Sequence, residues 1–257
     1  MKMIVYERID EFVMVAQHDH AAVSQDAALA WRDDYFTGIE RKKEVVLAVR
    51  EHDRCWIEPD KTPLWNKKKQ QPYSFMDYPG RPKLHFYKEG IDETVHINQY
   101  AGLLCSLHYA SFLKDATSEI GKNFWNEENS KQAKLIIDLG IKNDQEALEE
   151  LNFHLDLLKF CDNLSLYICL NEPGTPKQHE HYFYKNGIPQ KFSFAHNKPI
   201  MPVWVDQKTV SLSVSPFVNS LHVSLPYRAV KKELIQKYGL VAAYKASPVL
   251  MREVTFI

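Results

Sequence analysis

Histidine and aspartate side chains recur at positions that suit the binding of a divalent metal ion. His18 and His20 flank Asp19 at the start of one helical pattern. In a second helical pattern His52 stands directly before Asp53. Imidazole and carboxylate groups are the ligands that Zn, Mn, Fe and Co take in proteins. Each residue alone also has an ordinary interpretation, because a buried histidine usually bonds a carbonyl and Asp19 suits a helix N-cap.

Asp162 is the most informative single position, because it interrupts the apolar stripe of the longest predicted helix. The stripe has steps of three and four residues and consists of Leu151, Leu155, Leu158, Asp162, Leu166 and Cys169. Such steps keep the residues on one helix face. A carboxylate on that face is costly unless it is paired, hydrogen-bonded or metal-bound. Since His20, His52 and His108 lie on similar faces of other predicted helices, we predict that these groups meet at one or two divalent ions.

The elements that position these residues predict an α+β protein in three parts. The opening MKMIVYERIDEFVMVAQ predicts a β-hairpin within residues 1–17. A helical core, 18–170, carries every candidate ligand. TVSLSVSPF and SLHVSLPY alternate in polarity and predict antiparallel strands in a β-rich part, 171–257, packed on the core. Asn186-Gly187 in that part predicts a hairpin turn.

Five helices are predicted in the core, and they cover residues 20–35, 43–55, 99–114, 123–139 and 145–170. A long irregular stretch, 57–98, separates the second helix from the third. It holds the aromatic residues Trp65, Tyr73, Phe75 and Tyr78. These side chains predict either a cover over the metal site or a means of fixing the loop to the core.

Composition narrows the class of protein. The formal charge of -1 and pI near 6.8 predict no binding of nucleic acid or of an anionic membrane surface. The sequence contains no basic, apolar signal segment at its start and no apolar run that could span a bilayer. Its four cysteines form no C-x-x-C pair, so we expect free thiols in a reducing cytoplasm. Both a monomer and a homo-oligomer are compatible with this composition.

The order His20, then His52-Asp53, then Asp162, each on a separate helix, resembles the HD superfamily. In that superfamily a helical bundle presents such residues to a divalent metal, mostly to hydrolyse phosphate esters. The chain also resembles an uncharacterised bacterial family, largely from bacilli. The matching stretches are QHDHA, EHDRCW, GRP, YAGLLCSLHYA, DNLSLYICL and, more weakly, PYRAV. Arg54-Cys55 departs from the acidic-glycine pair usual in HD proteins, and the separation from Asp53 to Asp162 is longer than usual.

The HD resemblance implies an HD-like bundle and a set of metal ligands, which are His20, His52, Asp53 and Asp162. His18 is an alternative or additional first ligand. His108 corresponds to the extra histidines with which some HD relatives hold a second metal. The ions expected at such a site are Mn, Fe, Co or Zn.

This resemblance implies a metal-dependent phosphohydrolase that acts on a small phosphate ester or nucleotide. Asp53 would also orient the attacking water, and His108 would protonate the leaving group. Arg54 and Arg81 are the candidate phosphate-binding residues, although each could instead hold a surface contact. Two alternatives stay open: an HD-like di-iron oxygenase, and a non-enzymatic domain that holds or senses a metal.

Overall fold

The structure is a computed structural model that describes residues 3–257, and its architecture is α+β. The helices are α1 Gln17–Ala30, α2 Lys42–Glu51, α3 Gly80–Ile97, α4 Gln99–Ser111, α5 Glu119–Asp138, α6 Gln145–Leu170, α7 Lys232–Tyr238 and α8 Leu240–Ala246. The strands are β1 Ile4–Glu7, β2 Glu11–Val15, β3 Trp65–Asn66, β4 Gln71–Pro72, β5 Pro202–Trp204, β6 Thr209–Leu212, β7 Leu221–Lys231 and β8 Leu250–Phe256. Residues 1 and 2 of the predicted hairpin segment lie outside the described residues.

Strands from both ends of the chain form one six-stranded sheet in the order β1-β2-β7-β8-β6-β5. The antiparallel β1–β2 hairpin joins this sheet because β2 pairs with β7, with Glu11 opposite Lys231. β6 runs parallel to β8, so the prediction of a purely antiparallel C-terminal part is wrong in this pair. The apolar sides of the sheet and of the helices share one core, in which Trp31, Tyr167 and Phe256 are almost fully buried.

Helix α1 follows strand β2 with only Ala16 between them. The helix therefore begins earlier than expected, and Asp19 lies inside its first turn rather than at the N-cap, which is Ala16. The prediction of an Asp19 cap is wrong for this reason. An acidic residue in a first helical turn still interacts favourably with the helix dipole.

Helix α3 occupies much of the stretch that the sequence predicted to be irregular. Pro82 is compatible with it because it lies in the first turn, where no intrahelical partner is needed for the backbone nitrogen. The buried positions Leu84, Tyr87 and Ile91 repeat at helical spacing. The predicted hairpin turn at Asn186-Gly187 is also wrong, since only a single bridge, Ile188 to Ile200, follows it.

The described residues contain only free cysteines, and Cys105, Cys161 and Cys169 are buried as expected. Across residues 3–257, no helix combines the length and the apolar character that crossing a membrane would require.

Gly90 allows α3 to approach the segment that follows the His52-Asp53 pair. A Cβ atom at this glycine would lie 2.5 Å from the Cβ of Cys55 and 2.8 Å from its backbone nitrogen. We expect Gly90→Ala to destabilise the protein by about 1–2 kcal/mol, because overpacking outweighs the gain of roughly 1 kcal/mol in helix propensity. Thermal unfolding should show a Tm lower by roughly 2–8 °C. Gly80→Ala is the matched control, since nothing lies within 4 Å of its added Cβ; equal Tm losses in both variants would contradict the prediction.

Candidate metal centre

Four of the predicted ligands meet in the interior, at the junction of α1, α2 and α6. His20 projects from α1, and His52 and Asp53 directly follow α2. Asp162 lies in the second half of α6. The residues are almost fully buried, with exposed fractions of 0% for His20, 1% for His52, 7% for Asp53 and 8% for Asp162. The apolar face of α6 thus places the Asp162 carboxylate beside the imidazoles of His20 and His52, as its spacing predicted.

The ligand atoms of these residues lie within a few ångströms of one another. His20 Nε2 is 3.2 Å from His52 Nε2, 3.3 Å from Asp53 Oδ2 and 3.4 Å from Asp162 Oδ1. His52 Nε2 lies 3.6 Å from each of the same two carboxylate oxygens. His20, His52 and Asp162 form a group that could hold a metal ion. We call these three residues together with Asp53 the His-Asp cluster.

Hydrogen bonds outside the His-Asp cluster fix its imidazole rings. The Ser165 hydroxyl donates to the backbone oxygen of His20 at 2.8 Å, so its oxygen is free to accept from His20 Nδ1 at 2.9 Å. His52 Nδ1 lies 2.7 Å from the carbonyl oxygen of Val49, to which it must donate. Both rings therefore present Nε2 to the cluster, which is the arrangement that metal-binding histidines require.

Tyr109, from α4, fixes the remaining carboxylate. Its hydroxyl donates to Asp53 Oδ1 at 2.9 Å, while Asp53 Oδ2 faces the two imidazoles. Burial raises the pKa of Tyr109 well above its usual value, so the hydroxyl keeps its proton and remains a donor. One oxygen of Asp53 is thus held in place and the other is left for the cluster.

The electrostatic field of the His-Asp cluster favours a positive charge at its centre. Burial alone would lower the pKa of His52, but the carboxylates of Asp53 and Asp162 outweigh it and raise that pKa to about 9. Burial opposes ionisation of these two carboxyl groups as well, yet the neighbouring imidazoles hold the pKa of each below its usual value. Two ionised carboxylates in a buried place need a cation beside them.

The donor set of the cluster fits a divalent transition metal. Imidazole nitrogen and carboxylate oxygen bind Zn at about 2.0–2.2 Å, which places neighbouring ligands roughly 3–3.6 Å apart. The separations that involve the two imidazoles, 3.2 to 3.6 Å, match that spacing. His20, His52 and Asp162 could therefore hold one ion with little rearrangement, and Asp53 lies beside them.

His108 lies next to the cluster and His18 is not part of it. His108 Nε2 is 3.6 Å from Asp162 Oδ2, and its buried Nδ1 has no hydrogen-bond partner in the described structure. Burial lowers the pKa of His108 to about 3, so the ring is neutral at pH 7. A neutral imidazole suits a metal ligand, whereas a general acid needs a pKa near the working pH. A pKa this low does not suit the general-acid role predicted for His108.

A pocket opens beside the His-Asp cluster and is lined by His20, Asp53 and Asp162. His18 belongs to the same helix as His20, but it does not line this pocket. Its backbone oxygen accepts a hydrogen bond from Arg50 at 2.7 Å. Burial and the charge of Arg50 lower the pKa of the His18 ring. The group that could hold a metal includes His20 and not His18, so His20 is the ligand that this arrangement favours.

The two arginines predicted to bind phosphate do not line this pocket. Arg54 donates to Glu93 at 2.7 Å and to Glu51 at 3.0 Å, and it borders a different, smaller pocket. Arg81 is exposed at the start of α3. Lys83, two residues further along α3, does line the pocket. Lys83 is therefore the cationic side chain among the described residues that line the pocket.

A pocket of about 350 Å³ leads from the surface to His20, Asp53 and Asp162. Besides Lys83, its polar walls include Gln17, Asn163 and the ring of His108. Of the four aromatic residues considered as a cover, only Phe75 lines it. Trp65 packs against Phe12, and Tyr73 packs against Tyr78. Trp65, Tyr73 and Tyr78 belong to one hydrophobic cluster with Phe12, so these three side chains fix the loop rather than cover the site.

Sequence reasoning missed Ser165, Tyr109, Gln17 and Lys83. Two of them carried a usable signal. Ser165 follows Asp162 by three residues and Gln17 precedes His20 by three, so each shares a helix face with a ligand. Nothing in the local sequence connects Tyr109 to Asp53 or places Lys83 at the pocket, because both depend on the packing of α3 and α4.

Ser165→Ala tests the orientation of His20. We expect metal affinity to fall about 10- to 100-fold, which is the usual cost of removing a partner of a ligating histidine. Metal titration of the chelator-treated protein measures the loss. Ser224→Ala, at an exposed strand position, is the matched control. Unchanged affinity in Ser165→Ala would show that the hydroxyl does not position the ring.

The fold and the site define an α+β protein with a buried His-Asp cluster that could hold a metal ion. The sequence model of a family described as "protein of unknown function (DUF3891)" matches residues 3–232. The chain belongs to this family, and the expected membership of an uncharacterised family is confirmed. Neither the curated proteins nor the solved structures include a significant match to the chain.

Proposed function

We propose that this protein is a metal-dependent phosphohydrolase of HD-like type that acts on a small phosphate ester. The observation that carries the proposal is the His-Asp cluster at the inner end of a pocket that opens to the surface. A purely structural metal site is normally closed, whereas a catalytic one keeps a position for water or substrate. The open pocket therefore supports an enzyme over a metal-holding domain.

The residues that would hold the ion are His20, His52, Asp53 and Asp162, and His108 would serve a second ion. When bound, a divalent ion of the Mn, Fe, Co or Zn type lowers the pKa of a water molecule and polarises a phosphoryl oxygen. In the net reaction a water oxygen joins phosphorus. The phosphorus–oxygen bond to the alcohol breaks, and the alcohol leaves with one proton.

The chain's own residues supply orientation and charge for this reaction. Asp53 lines the pocket and is ionised, so it can accept a hydrogen bond from the attacking water. Lys83 already lies 3.4 Å from the backbone oxygen of Phe75, which holds its ammonium group at the pocket wall. That cation can bind an oxygen of the phosphoryl group. Gln17, 4% exposed, has a side-chain oxygen with no hydrogen-bond partner in the described structure, and this oxygen can accept a hydrogen bond from a water molecule in the pocket.

The experiment is metal analysis followed by a substrate panel. Protein purified without chelator is assayed for bound metal, then stripped and reloaded separately with Mn, Fe, Co and Zn. We expect uptake of one or two ions per chain and release of inorganic phosphate from at least one phosphate ester. Chelator should abolish the activity and metal should restore it. Protein that takes up none of these metals contradicts the proposal, and iron uptake with oxygen consumption but no phosphate release indicates the oxygenase instead.

A further inference from the structure

We propose, resting on the phosphohydrolase function above, that the substrate is a phosphate monoester of an aromatic or similarly flat apolar alcohol. The phosphoryl group would meet the His-Asp cluster, and the apolar group would lie in the outer part of the pocket. We call this outer part the aromatic mouth. Its residues are Phe75, Met76, Phe112, Leu113, Leu166 and Phe183.

The aromatic mouth is assembled from separate segments of the chain. Phe75 and Met76 precede α3, and Phe112 and Leu113 follow α4. Phe183 belongs to a short 3-10 helix, Tyr182–Tyr184, beyond α6. An apolar stripe on a single helix would be explained by packing against the core. Apolar side chains from three connecting segments that converge on one opening are explained better by a shared ligand.

Several of these side chains remain partly exposed to solvent. The exposed fractions are 44% for Met76, 56% for Phe112 and 37% for Phe183. Exposed apolar groups that cluster around a polar site mark a binding surface, because burying them against a ligand is favourable. Their position around the opening makes them the part of the site that would contact the leaving group.

Direct contacts connect the aromatic mouth with the His-Asp cluster. The ring of Phe112 lies 4.7 Å from the ring of His108, in an edge-to-face arrangement. His108 in turn approaches Asp162 at 3.6 Å. A substrate that touches both parts must therefore carry its apolar group close to the phosphoryl group. A monoester of a ring alcohol has that shape.

Charge and size argue against a polyphosphate. Among the residues that the structure describes, Lys83 is the one lysine or arginine that lines the pocket, whereas Asp53 and Asp162 bring two carboxylates. A nucleoside triphosphate carries several phosphates that need cationic partners. The volume of about 350 Å³ is near the lower end for ligand pockets, which suits one phosphoryl group with one ring system.

The test is calorimetric binding of phenylphosphonate and methylphosphonate, which are not hydrolysed, to the metal-loaded full-length protein. We expect phenylphosphonate to bind at least about 10-fold more tightly, because only its ring can be buried in the aromatic mouth. In the double variant Phe112→Ala, Phe183→Ala the two affinities should become similar while metal content stays unchanged. Tyr238→Ala, which removes an aromatic ring exposed elsewhere, is the matched control and should keep the preference.

Equal affinities in the wild type, or tighter binding of a non-hydrolysable ATP analogue, would overturn the inference. Hydrolysis assays distinguish a failure of this inference from a failure of the proposed function. If 1-naphthyl phosphate and glycerol phosphate are hydrolysed with equal kcat/KM, the phosphohydrolase stands and the aromatic preference fails. If phenylphosphonate is preferred but no ester is hydrolysed, the proposed reaction fails and the binding preference stands.

Discussion

Asp162→Ala is expected to remove the bound metal and with it any hydrolysis of phosphate esters. Asp162 lies beside the imidazoles of His20, His52 and His108, so its loss affects every metal position that we propose. Loss of a partner that only supports a ligand already costs 10- to 100-fold in metal affinity. Loss of the ligand itself should cost about 100-fold or more. Elemental analysis of the purified variant and metal titration of the stripped protein measure this change.

The matched control for Asp162→Ala is Asp156→Ala, which removes a half-buried carboxylate from the same helix outside the pocket lining. It should keep the metal content of the wild type. Circular dichroism on both variants shows whether the fold is retained. An Asp162→Ala protein that is folded and still binds metal with wild-type affinity would refute the His-Asp cluster as the metal centre.

Acid should destabilise the protein through His154, a buried histidine of α6 outside the His-Asp cluster. Its ring accepts a hydrogen bond from the Tyr100 hydroxyl at 2.6 Å and donates to the backbone oxygen of Thr37 at 2.8 Å. The neutral ring can form both hydrogen bonds, because it has one acceptor nitrogen and one donor nitrogen. Burial lowers the pKa of His154 to about 4, against an ordinary value of 6.5.

The folded protein therefore binds this proton more weakly than the unfolded chain does. The contribution of His154 is fully present above pH 6.5 and is lost as the pH falls to about 4. The loss is on the order of 3 kcal/mol in the free energy of unfolding, at 1.36 kcal/mol per pKa unit. We expect urea unfolding of His154→Gln to show a smaller decrease between pH 7.5 and 4 than that of the wild type.

The urea measurements are made with chelator present, so that loss of metal at low pH does not contribute. His85→Gln, at an exposed position of α3, controls for the loss of one histidine. Parallel stability curves for His154→Gln and the wild type would contradict the prediction. A lower stability of His154→Gln at neutral pH is expected separately, because its hydrogen bonds to Tyr100 and Thr37 are altered.

Residues of the His-Asp cluster could be predicted from the sequence where a local pattern of apolar and polar residues marked them. Asp162 was found because a single polar residue interrupts a regular apolar face, and α6 has the predicted bounds, Gln145–Leu170. His52 and Asp53 were found because they are adjacent and because the preceding helix has an apolar face. Helical periodicity determines which side chains share a face of one helix. That these faces meet at one place was inferred from the recurrence of His and Asp on the apolar faces of several helices.

The other features of the site and the fold depend on contacts between residues far apart in the sequence. Tyr109 reaches Asp53 only because α4 packs beside α2, and Arg54 turns away because Glu51 and Glu93 lie within reach. Helix α3 was missed because Gly90 and Pro82 weaken its helical signal. The structure shows that Gly90 is required by close packing on Cys55. Local helix propensity cannot predict a requirement that arises from tertiary packing.

The order of the sheet has a consequence for the synthesis of the protein on the ribosome. Strand β2 pairs with β7, with Glu11 opposite Lys231, so the N-terminal hairpin lacks this neighbour until nearly all of the chain has emerged. A shorter delay applies to His20, whose hydroxyl partner Ser165 is made 145 residues later. A nascent chain therefore cannot complete the His-Asp cluster until Asp162 and Ser165 have emerged from the ribosome.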